Sequence, residues 1–282
     1  MDDLRIALSD ALTRSVETLQ DEWEPHDVPS PSGIASCRLR QWFDGKRIPR
    51  SNRIPAASIK KMQSGKAIEE FWRTAYERLG FSLLGSLSRV PIGQHMTGEG
   101  DGILVAMKDI KLDGVTIPSG RSYLLELKDL GLWSYLSFYQ KGAEEGLPEY
   151  WAQVQCYMEG YDLDACILHA GQADASAVTY IWNQRKERNG WPDKPPPFLL
   201  EVIPRLPQEL AHWSAVAQEV RYYVDNYNTM PVAIRDFDPF KTRYPCQYCG
   251  WWTLCQRGVV EEEVGVSDDE IDQAARSGAK AA

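Results

Sequence analysis

Apolar positions recur in two rhythms along this chain. Short apolar runs bounded by turn residues predict strands at SLSRVPI, DGILVAM, SYLLELKDL, ACILHAG, AVTYIWN and FLLEVIP. The turn-rich KDIKLDGVTIPSG between DGILVAM and SYLLELKDL predicts that those two strands form a hairpin, and the turn-prone WPDKPPP separates AVTYIWN from FLLEVIP. Helical spacing marks Pro55 to Leu79, with Gly80 as its stop, and lines up Ile68, Phe71, Trp72, Ala75 and Leu79 as an apolar stripe. Further helices are predicted over 133–142, 148–160 and Pro207 to Tyr227, with a short one in SCRLRQWFDG ending near Gly45. The first thirty or so residues read as a helix followed by the loop VPSPSG, and Ser267 with Glu270 fits a capping box near the C-terminus. Helix, then strands, then helix, then more strands predicts an α/β fold: a mixed central sheet flanked by helices.

Composition leaves this picture standing. Of 282 residues, 43% are hydrophobic and 25% charged, an ordinary globular balance. No apolar run approaches the roughly 18 residues of a membrane span. The start MDDLRIALSD lacks the basic-then-apolar order of a secretory signal. The expectation is therefore a cytoplasmic protein with no membrane partner.

The net charge of −9 argues against a nucleic-acid partner until its distribution is considered. Between Arg38 and Lys66 stand nine basic residues and one acid, Asp44, so that segment carries +8 and the remainder −17. Arg38, Arg40, Lys46 and Arg47 lie there with Trp42 and Phe43 interleaved, a combination suited to tracking phosphates and stacking on bases. A solvated basic helix and loop has the same composition. The acids gather at the two ends, and 259–282 reads as an acidic tail.

Candidate chemistry lies in SYLLELKDL. Side chains alternate across a strand, so Glu126 and Lys128 share one face while Leu125 and Leu127 point into a core. An acid and a lysine on an otherwise apolar strand are unusual, because burying charge is costly unless it is paired or binds metal. GEGDGILV places Asp101 just before the partner strand, so Asp101 and Glu126 can converge on one cation. Hard divalent ions such as Mg²⁺ take carboxylate oxygens in this way, and Lys128 beside the metal would orient an attacking water. A surface salt bridge between Glu126 and Lys128 on an edge strand is the plainer reading of the same residues.

Six cysteines add a second constellation. Cys246, Cys249 and Cys255 form C-x2-C-x5-C, the close spacing a metal centre needs, and Cys37 is the best candidate for a fourth ligand. Zinc and an iron–sulfur cluster both suit four thiolates. Disulfides do not suit a cytoplasmic chain. Cys156 and Cys166 read as small core residues.

Taken in order, these features resemble the PD-(D/E)XK nuclease superfamily in its RecB-like branch. The resemblance rests on Gly65 with Glu69 in SGKAIEEFW, Gly98 to Asp101, Glu126-Leu127-Lys128, and Gln153 to Tyr157 in AQVQCYMEGY, together with one early and three late cysteines. Where the family carries a histidine four residues after the helix glycine, this chain has Glu69, which offers oxygen instead of nitrogen. The resemblance implies a restriction-endonuclease-like core over about 65–205, within one nuclease domain spanning 1–258. It further implies helical N- and C-terminal extensions joined by a [4Fe–4S] cluster on Cys37, Cys246, Cys249 and Cys255, as in the CRISPR-associated Cas-four family and AddB-type subunits. Asp101, Glu126, the Leu127 carbonyl and Glu69 would hold Mg²⁺ or Mn²⁺, Lys128 would position water, and Gln153 and Tyr157 would hold a DNA strand. The implied activity is exonuclease action on DNA ends or single strands, with recombination or CRISPR-adaptation proteins as partners. The contrasting expectation is a non-catalytic DNA-binding or assembly protein that keeps the fold.

Overall fold

The computed structural model describes residues 10–16, 18, 29–52, 54–84, 87–112, 115–242, 246 and 249–264. Residues 10–16 are helical (α1); the rest of the expected N-terminal helix and the Ser267–Glu270 capping box lie outside the described residues. The chain divides into two compact units: Met1–Pro29, Ser36–Lys60 and Val216–Ala282 in one, Ser30–Ala35 and Lys61–Ala215 in the other. Among the described residues no helix is long and apolar enough to cross a membrane.

In the second unit, a five-stranded sheet has the order β1 (Phe81–Leu84), β4 (Gly102–Ala106), β7 (Ser122–Leu130), β8 (Ala165–Gln172), β9 (Phe198–Pro204). The sheet is mixed, because β7 and β8 run parallel and every other neighbouring pair is antiparallel. The parallel pair needs a crossover, supplied by α4 (Leu132–Gly146) and α5 (Pro148–Gly160). The expected hairpin of β4 and β7 forms, with Gly102 opposite Leu125. Its connection carries a small hairpin of its own, β5 (Ile110–Leu112) with β6 (Val115–Ile117). Ahead of β4, SLSRVPI yields only β2 (Val90–Ile92), paired with β3 (Met96–Gly98).

The period-2 reading of β7 holds. Leu125 and Leu127 join Leu104, Ala106, Ile167, Phe81 and Ile110 in a core that Tyr76 of α3 (Ala56–Leu79) covers. The expected stripe on α3 does not hold. Trp72 packs and Tyr76 is buried, whereas Phe71 is 64% and Leu79 53% exposed; the side chain of Ile68 lies outside the described residues. The face toward the sheet is turned by about one residue from the predicted one.

AVTYIWN, expected as a strand, is helical and belongs to α6 (Ala175–Asn189). Asp174 caps its start by accepting the Ala177 amide at 2.9 Å, and Gly190 closes it at φ 65°, a left-handed conformation that glycine adopts without strain. Val178 and Trp182, four apart, are its buried face.

The core also contains His169 on β8. It is buried, its Nδ1 lies 3.1 Å from the Tyr76 hydroxyl, and Trp72 and Phe198 pack on its ring. Burial pushes its pKa down to about 4. The unfolded chain, with histidine near 6.5, takes up this proton first, so the contribution is complete above about pH 6.5 and fades as pH falls toward 4. Between pH 7.5 and 5 it should amount to about 2 kcal/mol. Urea midpoints at the two pH values check this: the stability gap between wild type and His169→Gln should narrow by that amount at pH 5.

The first unit is built around α2 (Arg38–Gly45), the part of α7 (Pro207–Asn226) from Val216 on, a 3-10 turn (Val232–Ile234) and α8 (Trp252–Val264). Leu39, Trp42, Phe43, Val220, Val224, Ile234 and Trp251 form its core, with Phe43 and Trp251 stacked at 5.8 Å. A Cβ on Gly45 would come within 2.8 Å of Val224, so only glycine lets α2 and α7 approach this closely. Helix α8 extends through part of the stretch expected as an acidic tail.

Candidate active site

Three sequence motifs meet on the α5 side of the sheet in the second unit. Asp101 ends the loop into β4, directly before the Gly102–Leu125 pair, which sets it opposite Glu126. Its Oδ2 accepts the Leu127 amide at 2.8 Å, and its carbonyl accepts from Arg73 Nη2 of α3 at 2.6 Å. The aspartate is thus fixed from two sides. Gly98, at the head of the same motif, has no room for a side chain: a Cβ there would lie 2.6 Å from the Tyr157 ring and 2.8 Å from Pro31. The Gly100 amide donates to the Tyr161 hydroxyl at 3.1 Å, tying this loop to the end of α5.

Glu126 is 0% exposed, and its Oε1 accepts from both Lys128 Nζ and Gln153 Nε2, the latter at 2.9 Å. The edge-strand salt bridge is excluded, since β7 lies inside the sheet and the acid is buried. The Lys128 side chain keeps 19% exposure, so the site reaches solvent on the lysine side. Burial works against the Lys128 charge, but Glu126 and Asp101 outweigh it and raise the pKa above the usual lysine value. The ammonium also sits 5.2 Å from the centre of the Tyr150 ring, in cation–π contact.

Gln153 and Tyr157 are both buried in α5, where eight consecutive residues from Trp151 to Met158 are buried. Gln153 holds a catalytic candidate, and Tyr157 packs on the Gly98 backbone, with burial raising its pKa. Sequence reading missed Tyr150 and Arg73. Tyr150, Gln153 and Tyr157 stand at i, i+3 and i+7, the spacing of one helix side. Glu69 lies on α3, one turn before Arg73; its side chain is outside the described residues.

The donor set suits a hard divalent cation, with one carboxylate on β7, another directly before β4, and one side open to water. Among the described residues, no group of three or more His, Cys, Asp or Glu side chains is gathered at metal-ligand spacing.

In the first unit, Cys37 caps α2, and Cys37, Cys249 and Cys255 pack against one core. Burial raises the pKa of Cys246, Cys249 and Cys255, the last to about 12, and the Cys37 thiol raises all three further. Cys249 and Cys246 likewise act on Cys255. Cys37, Cys246, Cys249 and Cys255 are all among the described residues, and no three of them are gathered at metal-ligand spacing. Cys156 and Cys166 are buried core residues of the second unit, as expected.

Of the basic candidates on α2 and just beyond, Arg38 is held by Asp236 and Glu219, at 2.6 and 2.5 Å, and its pKa is raised by them. Lys46 donates to Asn228 at 3.0 Å. Arg40 and Arg47 are exposed.

No family model matches the chain, and no curated protein matches it. Among solved structures, it is similar to an alkaline exonuclease (LHK-Exo) from Laribacter hongkongensis, at 13% identity and TM-score 0.42 over 70% of this chain and 87% of that one. The same exonuclease in complex with dAMP gives TM-score 0.44 at 13% identity and the same coverage. The crystal structure of SSO0001 gives TM-score 0.45 at 13% identity, over 86% of this chain and 92% of that one.

Proposed function

We propose that this chain is a metal-dependent nuclease with a restriction-endonuclease-like core that hydrolyses DNA phosphodiesters, acting on ends or single strands. The observation that carries the reading is Glu126: a fully buried carboxylate, on an interior strand, bound to Lys128 and set opposite Asp101. A stability role alone explains it poorly, because a buried ion pair is often no better than apolar residues of similar size.

Asp101, Glu126 and the Leu127 carbonyl would hold Mg²⁺ or Mn²⁺, with Glu69 as a further oxygen donor, and the ion supplies Lewis-acid activation of water and phosphate. Gln153 fixes the Glu126 carboxylate, and Arg73 and the Leu127 amide fix Asp101, so both acids are oriented before substrate arrives. Lys128 keeps its proton beside Glu126 and orients the attacking water with its remaining N–H donors. In the first unit, Cys37, Cys246, Cys249 and Cys255 would hold a [4Fe–4S] cluster, whose contribution is a cross-link between distant parts of the chain.

Digestion of end-labelled single- and double-stranded DNA with Mg²⁺ or Mn²⁺ tests the reading. Wild type should cut, chelator should stop it, and Asp101→Ala should be slower by about a thousandfold or more. Wild-type protein that binds DNA but cuts neither substrate with either metal would leave the non-catalytic alternative. An Asp101→Ala variant cutting at the wild-type rate would move the active site elsewhere.

A further inference from the structure

The strand carrying Glu126 and Lys128 runs directly into α4, whose second residue is Trp133. This tryptophan is 61% exposed, and the Arg185 guanidinium lies 5.3 Å from its ring centre. A large aromatic side chain left in water and stacked with a cation is a binding feature more than a packing one. Arg188, exposed and three residues along α6, shares the helix side of Arg185, whereas Glu187 does not.

The support beneath this pair is rigid. Tyr139 of α4, Trp182 of α6 and Trp191 pack together, Tyr139 edge-on to both indoles and the two indoles tilted, with centroids 4.5 to 5.7 Å apart. The Trp182 indole N–H donates to the Pro192 carbonyl at 2.8 Å, and Tyr135 Oη and Gln172 Nε2 both donate to the Pro196 carbonyl at 2.5 Å. The first turn of α4, α6 and the 190–197 loop are thereby locked together. Trp133 lies five positions after Lys128, so their Cα atoms are at most about 18 Å apart, within reach of one short stretch of substrate.

We propose that Trp133 and Arg185 form a stacking platform for an unpaired base of single-stranded DNA, with Arg185 and Arg188 facing the adjoining phosphates. The proposal rests on the nuclease reading and specifies the substrate of that site as a strand with unpaired bases. Charge complementarity and the π-face favour this occupant: stacking is sequence-tolerant, and the cations suit a phosphodiester backbone.

The test measures binding of a labelled single-stranded oligonucleotide, a blunt duplex and a matching RNA to full-length protein in the Asp101→Ala background, alongside cleavage by wild type. Adding Trp133→Ala should weaken single-strand binding about tenfold, and Trp133→Phe should recover most of it. Adding Arg185→Gln should lower the slope of log affinity against log salt by about one. Unchanged single-strand affinity in the Trp133→Ala form, with melting like its parent, overturns the platform. So does an equal loss on blunt duplex, while tighter binding of the RNA overturns the assignment to DNA. Failure of the nuclease reading shows separately, as wild-type protein that does not cut.

Discussion

Lys128→Met should lose both activity and stability, and Glu126→Gln added to it should return the stability without the activity. Glu126 is fully buried, and Lys128 supplies the positive charge beside it. Methionine keeps most of the lysine volume but removes the ammonium from beside the carboxylate, whose bond from Gln153 carries no charge. Breaking a buried pair from one side costs about 3–5 kcal/mol. Neutralising the acid as well removes the uncompensated charge, so the double variant should recover most of that loss. Cleavage should stay at least about a thousandfold down in both, since neither has an ammonium at the site and the double variant also lacks the Glu126 carboxylate. Urea midpoints and single-turnover cleavage on wild type and these two variants read the two effects independently. A pair kept only for stability would behave differently: the single variant would lose stability and still cut. Wild-type stability and activity in Lys128→Met would remove the pair from the mechanism altogether.

The active-site strands were legible because their signals are local. The alternation in SYLLELKDL places Glu126 and Lys128 on one face, and GEGDGILV places Asp101 just before the neighbouring strand; the structure keeps both relations. Four-residue spacing put Gln153 and Tyr157 on one helix side, but their burial was not readable, because it depends on α5 packing against β7 and β8. The error at 177–183 has a physical source. Val178, Thr179, Tyr180 and Trp182 favour strands, and the cap formed by Asp174 with Ala177 and the closing Gly190 outweigh that preference. β1, β2, β3, β5 and β6 are three or four residues long, too short for a period to register. Long-range electrostatics were invisible: Arg38 counted as a free cation in a basic run, while Asp236, 198 positions away, takes its guanidinium and its backbone amide.

Anaerobically purified protein should be brown, with about four iron and four sulfide per chain, and Cys37→Ala should bleach it as fully as Cys249→Ala. Cys37 begins α2 and Cys249 and Cys255 flank Trp251, all against the core formed by Leu39, Trp42, Phe43, Val220 and Ile234. Cys37, Cys249 and Cys255 pack against that one core. A shared centre would close a loop of about two hundred residues, worth about 5 kcal/mol on the chain-entropy argument used for disulfides. That is comparable to the whole stability of an ordinary domain, so losing either end ligand should unfold this unit at temperatures where wild type stays folded. Cys156→Ala and Cys166→Ala are the controls. Both cysteines are buried in the other unit, Cys156 with its pKa pushed up to about 12 by burial, so each variant should keep the full colour. Metal analysis and visible spectra of the five proteins, with thermal melts, decide the matter. A colourless wild type with one zinc per chain would replace the cluster by a four-cysteine zinc site, with the same dependence on Cys37. A wild type holding neither metal, and melting no higher than Cys37→Ala, would leave the four cysteines as packing residues.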